Sequence, residues 1–148
     1  MKIKKLDRIL YAEDSDYDIE LTLSAFQECN LANPIDVVKD GAEALDYLFY
    51  RGKYSTRSKE VPIFILLDLK MPKLDGIEVL KEIRKSKEYK NIPVIILTSS
   101  KMESDIVKSY EFGANGFVVK PIDFTEFVEA IRCIGYFWAI VNTSPNKI

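Results

Sequence analysis

Four polar groups, each set at the end of an apolar run, are the residues of this chain that could do chemistry together: Glu13-Asp14, Asp68, Thr98 with Ser99, and Lys120. Carboxylates brought close repel one another unless a proton or a cation intervenes. Carboxylate oxygens with water suit Mg2+, which keeps part of its hydration shell. A lysine and a hydroxyl on the far side can hold the anionic oxygens of a phosphoryl group. A carboxylate can also act as nucleophile and become an acyl phosphate, and Asp68 occupies the central place. The chain has no histidine, so it cannot be a phosphohistidine donor, only an acceptor. The same absence removes Ser-His and Cys-His catalysis and histidine-ligated zinc. Taken singly, each residue has a plainer reading: a strand-end Asp as a helix cap, Thr98 as part of a turn, Lys120 as a surface charge, Phe117 as core.

The elements that must position these residues alternate along the chain. Strands are predicted over residues 8–12, 34–38, 63–67, 93–97 and 116–119. The third and fourth are almost uninterrupted Ile, Leu, Val and Phe, as expected of parallel strands buried on both faces. Between them run helical spacings: Ile19, Leu23 and Phe26; Ala42, Leu45 and Phe49; Ile77, Leu80 and Ile83; and residues 102–112, closed by Gly113. Asp123-Phe124-Thr125-Glu126 has the spacing of a capping box and opens a last helix carrying Phe127, Ile131, Ile134 and Trp138. Strict alternation predicts a doubly wound α/β domain, a five-stranded parallel sheet with helices on both faces. With strand order 2-1-3-4-5, Asp14 and Asp68 would meet at the switch point where such sheets bind ligands. Residues 51–60 are polar, basic and aperiodic, and are expected to form an exposed, solvated loop.

Composition limits what else the chain could be. A length of 148 residues is expected to make a single domain. A net charge of −2 gives no basic footprint for nucleic acid. The apolar runs are too short to span a bilayer, and the tract Met1–Asp7 has no apolar signal region, so a cytoplasmic protein is expected. Cys29 and Cys133 are expected to be reduced, packed thiols. Glu13-Asp14-Ser15-Asp16 would repel the phosphate of a flavin, and Lys70 stands where an aspartyl phosphatase of the haloacid dehalogenase type needs its second Asp.

Tyr11-Ala12-Glu13-Asp14, Leu66-Leu67-Asp68-Leu69-Lys70-Met71-Pro72, Asp75-Gly76, Leu97-Thr98-Ser99 and Val119-Lys120-Pro121 together resemble the receiver domains of two-component response regulators. The resemblance runs from about residue 7 to residue 140 and implies a CheY-like, flavodoxin-like fold. It implies Asp68 as phosphoacceptor, with Asp14, Asp68 and the Lys70 backbone carbonyl as Mg2+ ligands and Glu13 acting through metal-bound water. It implies Thr98 and Lys120 on phosphoryl oxygens, Phe117 as the aromatic switch residue, and a cis peptide at Lys120-Pro121. The switch residue is Phe rather than Tyr, so no hydroxyl accompanies its movement. A receiver is a phosphorylated signalling protein rather than a turnover enzyme, and its expected partner is a sensor histidine kinase. The 51–60 loop and the ending Gly135-Tyr136-Phe137-Trp138 look like stand-alone regulators of phytochrome-type kinases. No output domain is expected, because only about eight residues follow the last helix. A second copy of the chain is a further candidate partner, through the aromatic tail. The competing expectation is a receiver-like interaction module that works without phosphorylation.

Overall fold

The computed structural model describes residues 6–145. The basic N-terminal tract, residues 1–5, lies outside them. The elements are β1 (Ile9–Ala12), α1 (Asp16–Glu28), β2 (Ile35–Val38), α2 (Gly41–Leu48), β3 (Phe64–Leu67), α3 (Gly76–Lys85), β4 (Val94–Thr98), α4 (Glu103–Glu111), β5 (Gly116–Val119) and α5 (Phe124–Gly135). The five strands pair in parallel in the order β2-β1-β3-β4-β5, as expected.

Two-residue alternation along each strand divides the core into two layers. Leu10, Ala12, Ile65, Leu67, Val94 and Ile96 pack against α2 and α3, which contribute Ala44, Leu45, Leu48, Val79, Leu80 and Ile83. Ile9, Tyr11, Phe64, Leu66, Ile95 and Leu97 pack against α1 and α5, which contribute Ile19, Ala25, Phe26, Phe127, Ile131 and Ile134. Every residue of β1, β3 and β4 is buried. These central strands therefore fix where their C-terminal ends lie, and the polar residues just beyond them inherit that placement.

Helix starts are set by short polar side chains. Ser15, Asp40, Asp75 and Asp123 each accept a hydrogen bond from the backbone N–H three residues on, which opens α1, α2, α3 and α5. Gly113, at φ 99°, closes the turn after α4 as anticipated.

Residues 51–60 are largely exposed, as expected, but they are anchored through Arg57. They include a 3-10 turn over Gly52–Tyr54, and the Arg57 guanidinium lies 4.0 Å from the Tyr47 ring centroid and 4.5 Å from that of Tyr50. Cation–π contacts and backbone carbonyls, neither of which has a sequence period, hold the segment down. Two expectations need correction. The Lys120-Pro121 peptide is trans, since no cis bond occurs among the described residues. The preference at an X–Pro bond is only about 0.5–1 kcal/mol, too small for a motif to decide. Cys29 is half-buried but Cys133 is exposed on α5, off the apolar stripe. The last helix also continues beyond α5 as a π-helical run, Tyr136–Val141, where Trp138 is half-buried against the core and sits edge-to-face with Phe137 at 4.8 Å.

Candidate functional site

The three central strands deliver their polar ends to one rim of the sheet. β1 leads directly into Glu13 and Asp14, and Ser15 then caps α1. β3 leads into Asp68, whose backbone N–H donates to the Ala12 carbonyl at 3.1 Å, which ties the two strand ends together. Behind Asp68, α3 begins at Gly76. A Cβ there would collide with the Asp68 carbonyl, so glycine lets the helix start lie against the strand end. Thr98 closes β4, and its carbonyl accepts the Lys120 backbone N–H at 2.7 Å.

Carboxylate oxygens of Glu13, Asp14 and Asp68 lie within 4.8 Å of one another. Glu13 and Asp68 are buried and Asp14 is exposed. The Lys120 ammonium, on a side chain only 9% exposed, reaches Glu13 Oε1 at 2.6 Å and Asp68 Oδ2 at 3.0 Å. It also reaches Asp18 Oδ2 at 2.8 Å, a residue the sequence reading missed. No sequence signal marked it, since Asp16 and Asp18 are both acids of the first turn of α1. The remaining carboxylate oxygens are oriented by backbone: Glu13 Oε2 accepts the Ser15 N–H at 3.3 Å and Asp68 Oδ1 the Lys70 N–H at 3.2 Å.

Electrostatics follow from this crowding. Burial pushes the Glu13 carboxyl up to about 7, and the Lys120 hydrogen bond opposes the shift without cancelling it. Burial alone would lower the Lys120 ammonium, but hydrogen bonds to Asp18 and Glu13 raise it on balance, so it stays charged. Among the described residues, Lys120 alone is paired with these acids, and it meets three of them. A hard divalent cation that takes oxygen ligands fits this donor set. The exposed Asp14 faces an open cleft of about 430 Å³ lined also by Lys70, Met71, Asp75 and Asp105, which leaves such an ion a path to water.

The other named residues lie nearby in different states. Thr98 is fully buried, and its hydroxyl accepts the Ser100 N–H at 3.4 Å. Ser99 and the Lys70 side chain are exposed. Phe117 is half-buried against the α2–α3 layer. A larger cleft, about 780 Å³, opens at the opposite end of β1 between α1 and α5; it is lined by Phe26, Leu31, Ile63 and Tyr136 and holds no carboxylate cluster among the described residues.

Comparison with known proteins identifies the family and agrees with the fold. Residues 9–132 match the response regulator receiver domain family. The response regulator Rcp1 of Synechocystis sp. is 34% identical over 137 residues, which are 93% of this chain and 92% of Rcp1. A crystal structure of Mn(2+)-bound Rcp1 matches with a TM-score of 0.86, over 94% of this chain and 99% of that one. The phosphorylated cyanobacterial phytochrome response regulator RcpA matches with a TM-score of 0.88 at 35% identity, over 95% and 99% of the two chains. The bacteriophytochrome response regulator RtBRR is 51% identical, with a TM-score of 0.77 over 96% and 86%. Fold, rim and relatives converge: the chain belongs to the response regulator receiver domain family of two-component signal transduction, and phytochrome response regulators are among its close homologues.

Proposed function

We propose that this receiver takes a phosphoryl group onto Asp68 from a phosphohistidine of a partner kinase, in a reaction that requires Mg2+. The observation that carries the reading is the meeting of Glu13, Asp14 and Asp68 within 4.8 Å, with Lys120 held 3.0 Å from Asp68. Asp14, Asp68 and the Lys70 carbonyl would hold the cation, with Glu13 acting through water. When bound, the ion offsets negative charge on the transferring oxygens. A carboxylate oxygen of Asp68 forms the new O–P bond as the N–P bond to the partner's imidazole breaks, and the imidazole nitrogen keeps that electron pair. Lys120 exchanges its bond to Asp68 for one to a phosphoryl oxygen, and the Thr98 hydroxyl turns toward another. Withdrawal of Thr98 makes room for Phe117 to move inward, which shifts the α4–β5–α5 face between two states.

On this reading the chain is the acceptor in a single transfer rather than a turnover enzyme, and it works in the cytoplasm. No helix among the described residues is long and apolar enough to cross a membrane. Its relatives make a phytochrome-type histidine kinase the proposed donor. A second copy of the chain is a proposed partner of the α4–β5–α5 face. Titration with beryllofluoride, a phosphoryl mimic, tests the reading. Binding should need Mg2+ and should vanish in Asp68→Asn. Binding without metal, or equal binding by Asp68→Asn, overturns it and leaves the phosphorylation-independent module standing.

A further inference from the structure

A lysine ammonium has three N–H donors. In Lys120 three carboxylates take them: Glu13, Asp18 and Asp68. Two of these acceptors have a second task in the proposed reaction. Glu13 and Asp68 belong with Asp14 to the set that can share a cation, and Asp68 is also the acceptor. Asp18 belongs to neither set. Its position does not depend on the ion, because the Asp18 backbone N–H donates to the Ser15 hydroxyl at 3.2 Å in the capped first turn of α1. An acid in a first helical turn has a plainer use, since it complements the helix dipole. Asp16 serves that use in the same turn and pairs with Lys39 on the surface. The dipole does not explain why Asp18 lies 2.8 Å from the ammonium of a side chain that is only 9% exposed.

We propose that Asp18 is a positioning residue that keeps the Lys120 ammonium aimed at Asp68 while Glu13 and Asp68 are drawn to the cation and the phosphoryl group. This rests on the phosphoacceptor reading above. A lysine side chain is a point charge on a flexible four-carbon stem, so its direction must come from its partners. Once the phosphoryl oxygen replaces Asp68 Oδ2, Asp18 is the carboxylate that still holds Lys120 in place. The opposite role is also chemically defined: an acid competing for Lys120 would withhold it from the phosphoryl group. The two roles predict opposite signs.

The test uses the full chain and two probes. Beryllofluoride binding at saturating Mg2+ is followed by 19F NMR, and Mn2+ affinity alone is followed by EPR of the free ion. Asp18→Ala should raise the half-saturating beryllofluoride concentration about tenfold, the loss of one charge-assisted hydrogen bond. Its Mn2+ affinity should fall by a smaller factor than beryllofluoride binding, since Asp18 is not among the carboxylates that can share the ion and Lys120 lies between them. Asp18→Asn, which keeps an oxygen acceptor without the charge, should fall between. In a Lys120→Ala background, Asp18→Ala should have no further effect. Unchanged or tighter beryllofluoride binding by Asp18→Ala overturns the proposal. So does an equal loss in the Lys120→Ala background, or a parallel loss of Mn2+ affinity. A thermal melt of each variant identifies unfolding, and Asp18→Asn carries the test if Asp18→Ala does not fold. Failure of the wild type to bind beryllofluoride with Mg2+ would sink the phosphoacceptor reading instead, so the two failures are distinguishable.

Discussion

The two edges of the sheet are built to different standards. β2 and β5 are both four-residue edge strands, and both are largely half-buried. Around β2 the polar groups are interlocked. Asp36 accepts from Arg8 Nε at 2.6 Å and Arg8 Nη2 at 2.7 Å, and from the Tyr47 hydroxyl. Arg57, between Tyr47 and Tyr50, donates to the Tyr47 carbonyl at 2.9 Å and the Glu60 carbonyl at 3.1 Å. The helix beside β2, α2, is capped by Asp40. Around β5 the polar bracing is confined to the strand's two ends, where Arg84 donates to the Gly113 carbonyl and Asn115 Oδ1 and where Lys120 meets its carboxylates, and the helix beside it is the weakly held part. α4 has no side-chain cap, buries only Ser109, and leaves Met102, Val107, Tyr110 and Phe112 exposed. An edge position therefore does not set how firmly a strand is held; the side chains around it do. Regions with few buried apolar contacts open most readily, and a phosphoryl-driven change of shape is expected at the loosely held edge. In the proposed reaction the braced edge would keep β1, and with it Glu13 and Asp14, in place.

The largest expected effect comes from Asp36→Ala. It leaves the buried Tyr47 hydroxyl and the part-exposed Arg8 guanidinium without their shared acceptor and should cost about 2.5 kcal/mol, most of it from the hydroxyl because the ion pair is partly solvated. Urea denaturation measures it, and a loss below about 1 kcal/mol would remove the claim that this edge is braced. Arg57→Ala comes next, at about 2 kcal/mol, from two cation–π contacts and the backbone hydrogen bonds together. Limited proteolysis should then cut within residues 51–60, and Arg57→Lys should not restore protection, because one ammonium cannot replace the planar fork.

Acid sharpens the same contrast. Burial pushes the Asp36 carboxyl up, but hydrogen bonds from Arg8 and Tyr47 more than offset this and leave it below its ordinary value of 3.8. A carboxyl with a lowered folded-state pKa contributes stability that is complete above its ordinary value and is lost as pH falls through the folded one. The stability gap between wild type and Asp36→Ala should therefore be constant above about pH 5 and narrow below about pH 4. A gap that stayed flat into the acid range would mean that the carboxylate charge adds nothing to this edge.

How much of this was legible in the sequence depended on whether a feature has a period. The central strands and the helix stripes repeat every two or about 3.6 residues, and they were readable to within a residue or two. The convergence of Glu13, Asp14, Asp68 and Lys120 was readable because each follows such a run, so the fold positions them before any contact is known. The bracing of β2 was not readable. Arg57 meets Tyr47 and Tyr50 through packing across an aperiodic segment, and the charge run of residues 51–60 looks the same whether solvated or docked. Asp18 was hidden for a different reason. A first-turn acid is so ordinary in a helix that only coordinates distinguish it from Asp16, which meets Lys39 on the surface instead.

The loose edge can be tightened or left unchanged on purpose. Met102 has an extended backbone at the start of α4, φ −67° and ψ 126°, which is the geometry of a capping residue without the side chain for it. Met102→Ser should stabilise the chain by about 1 kcal/mol in thermal unfolding, as a cap does elsewhere. A loss of stability instead would mean that Met102 packs against something in solution.

The smallest effect is expected from Tyr110→Ala, and its smallness is the informative part. Tyr110 is a large aromatic residue near the end of α4, and half of it is exposed. Truncating a buried tyrosine typically costs several kcal/mol, through both lost burial and the cavity left behind. Here no cavity forms, the area lost is already partly in water, and alanine is the better helix former. These terms oppose one another, so the net change should stay within about 0.5 kcal/mol. A loss above about 1.5 kcal/mol at low protein concentration would show that α4 is held by its own chain as firmly as α2. A loss that appears only at high concentration would show instead that a second copy covers this face. In the first outcome the contrast between the edges fails; in the second it survives, with the looseness of α4 belonging to the monomer alone.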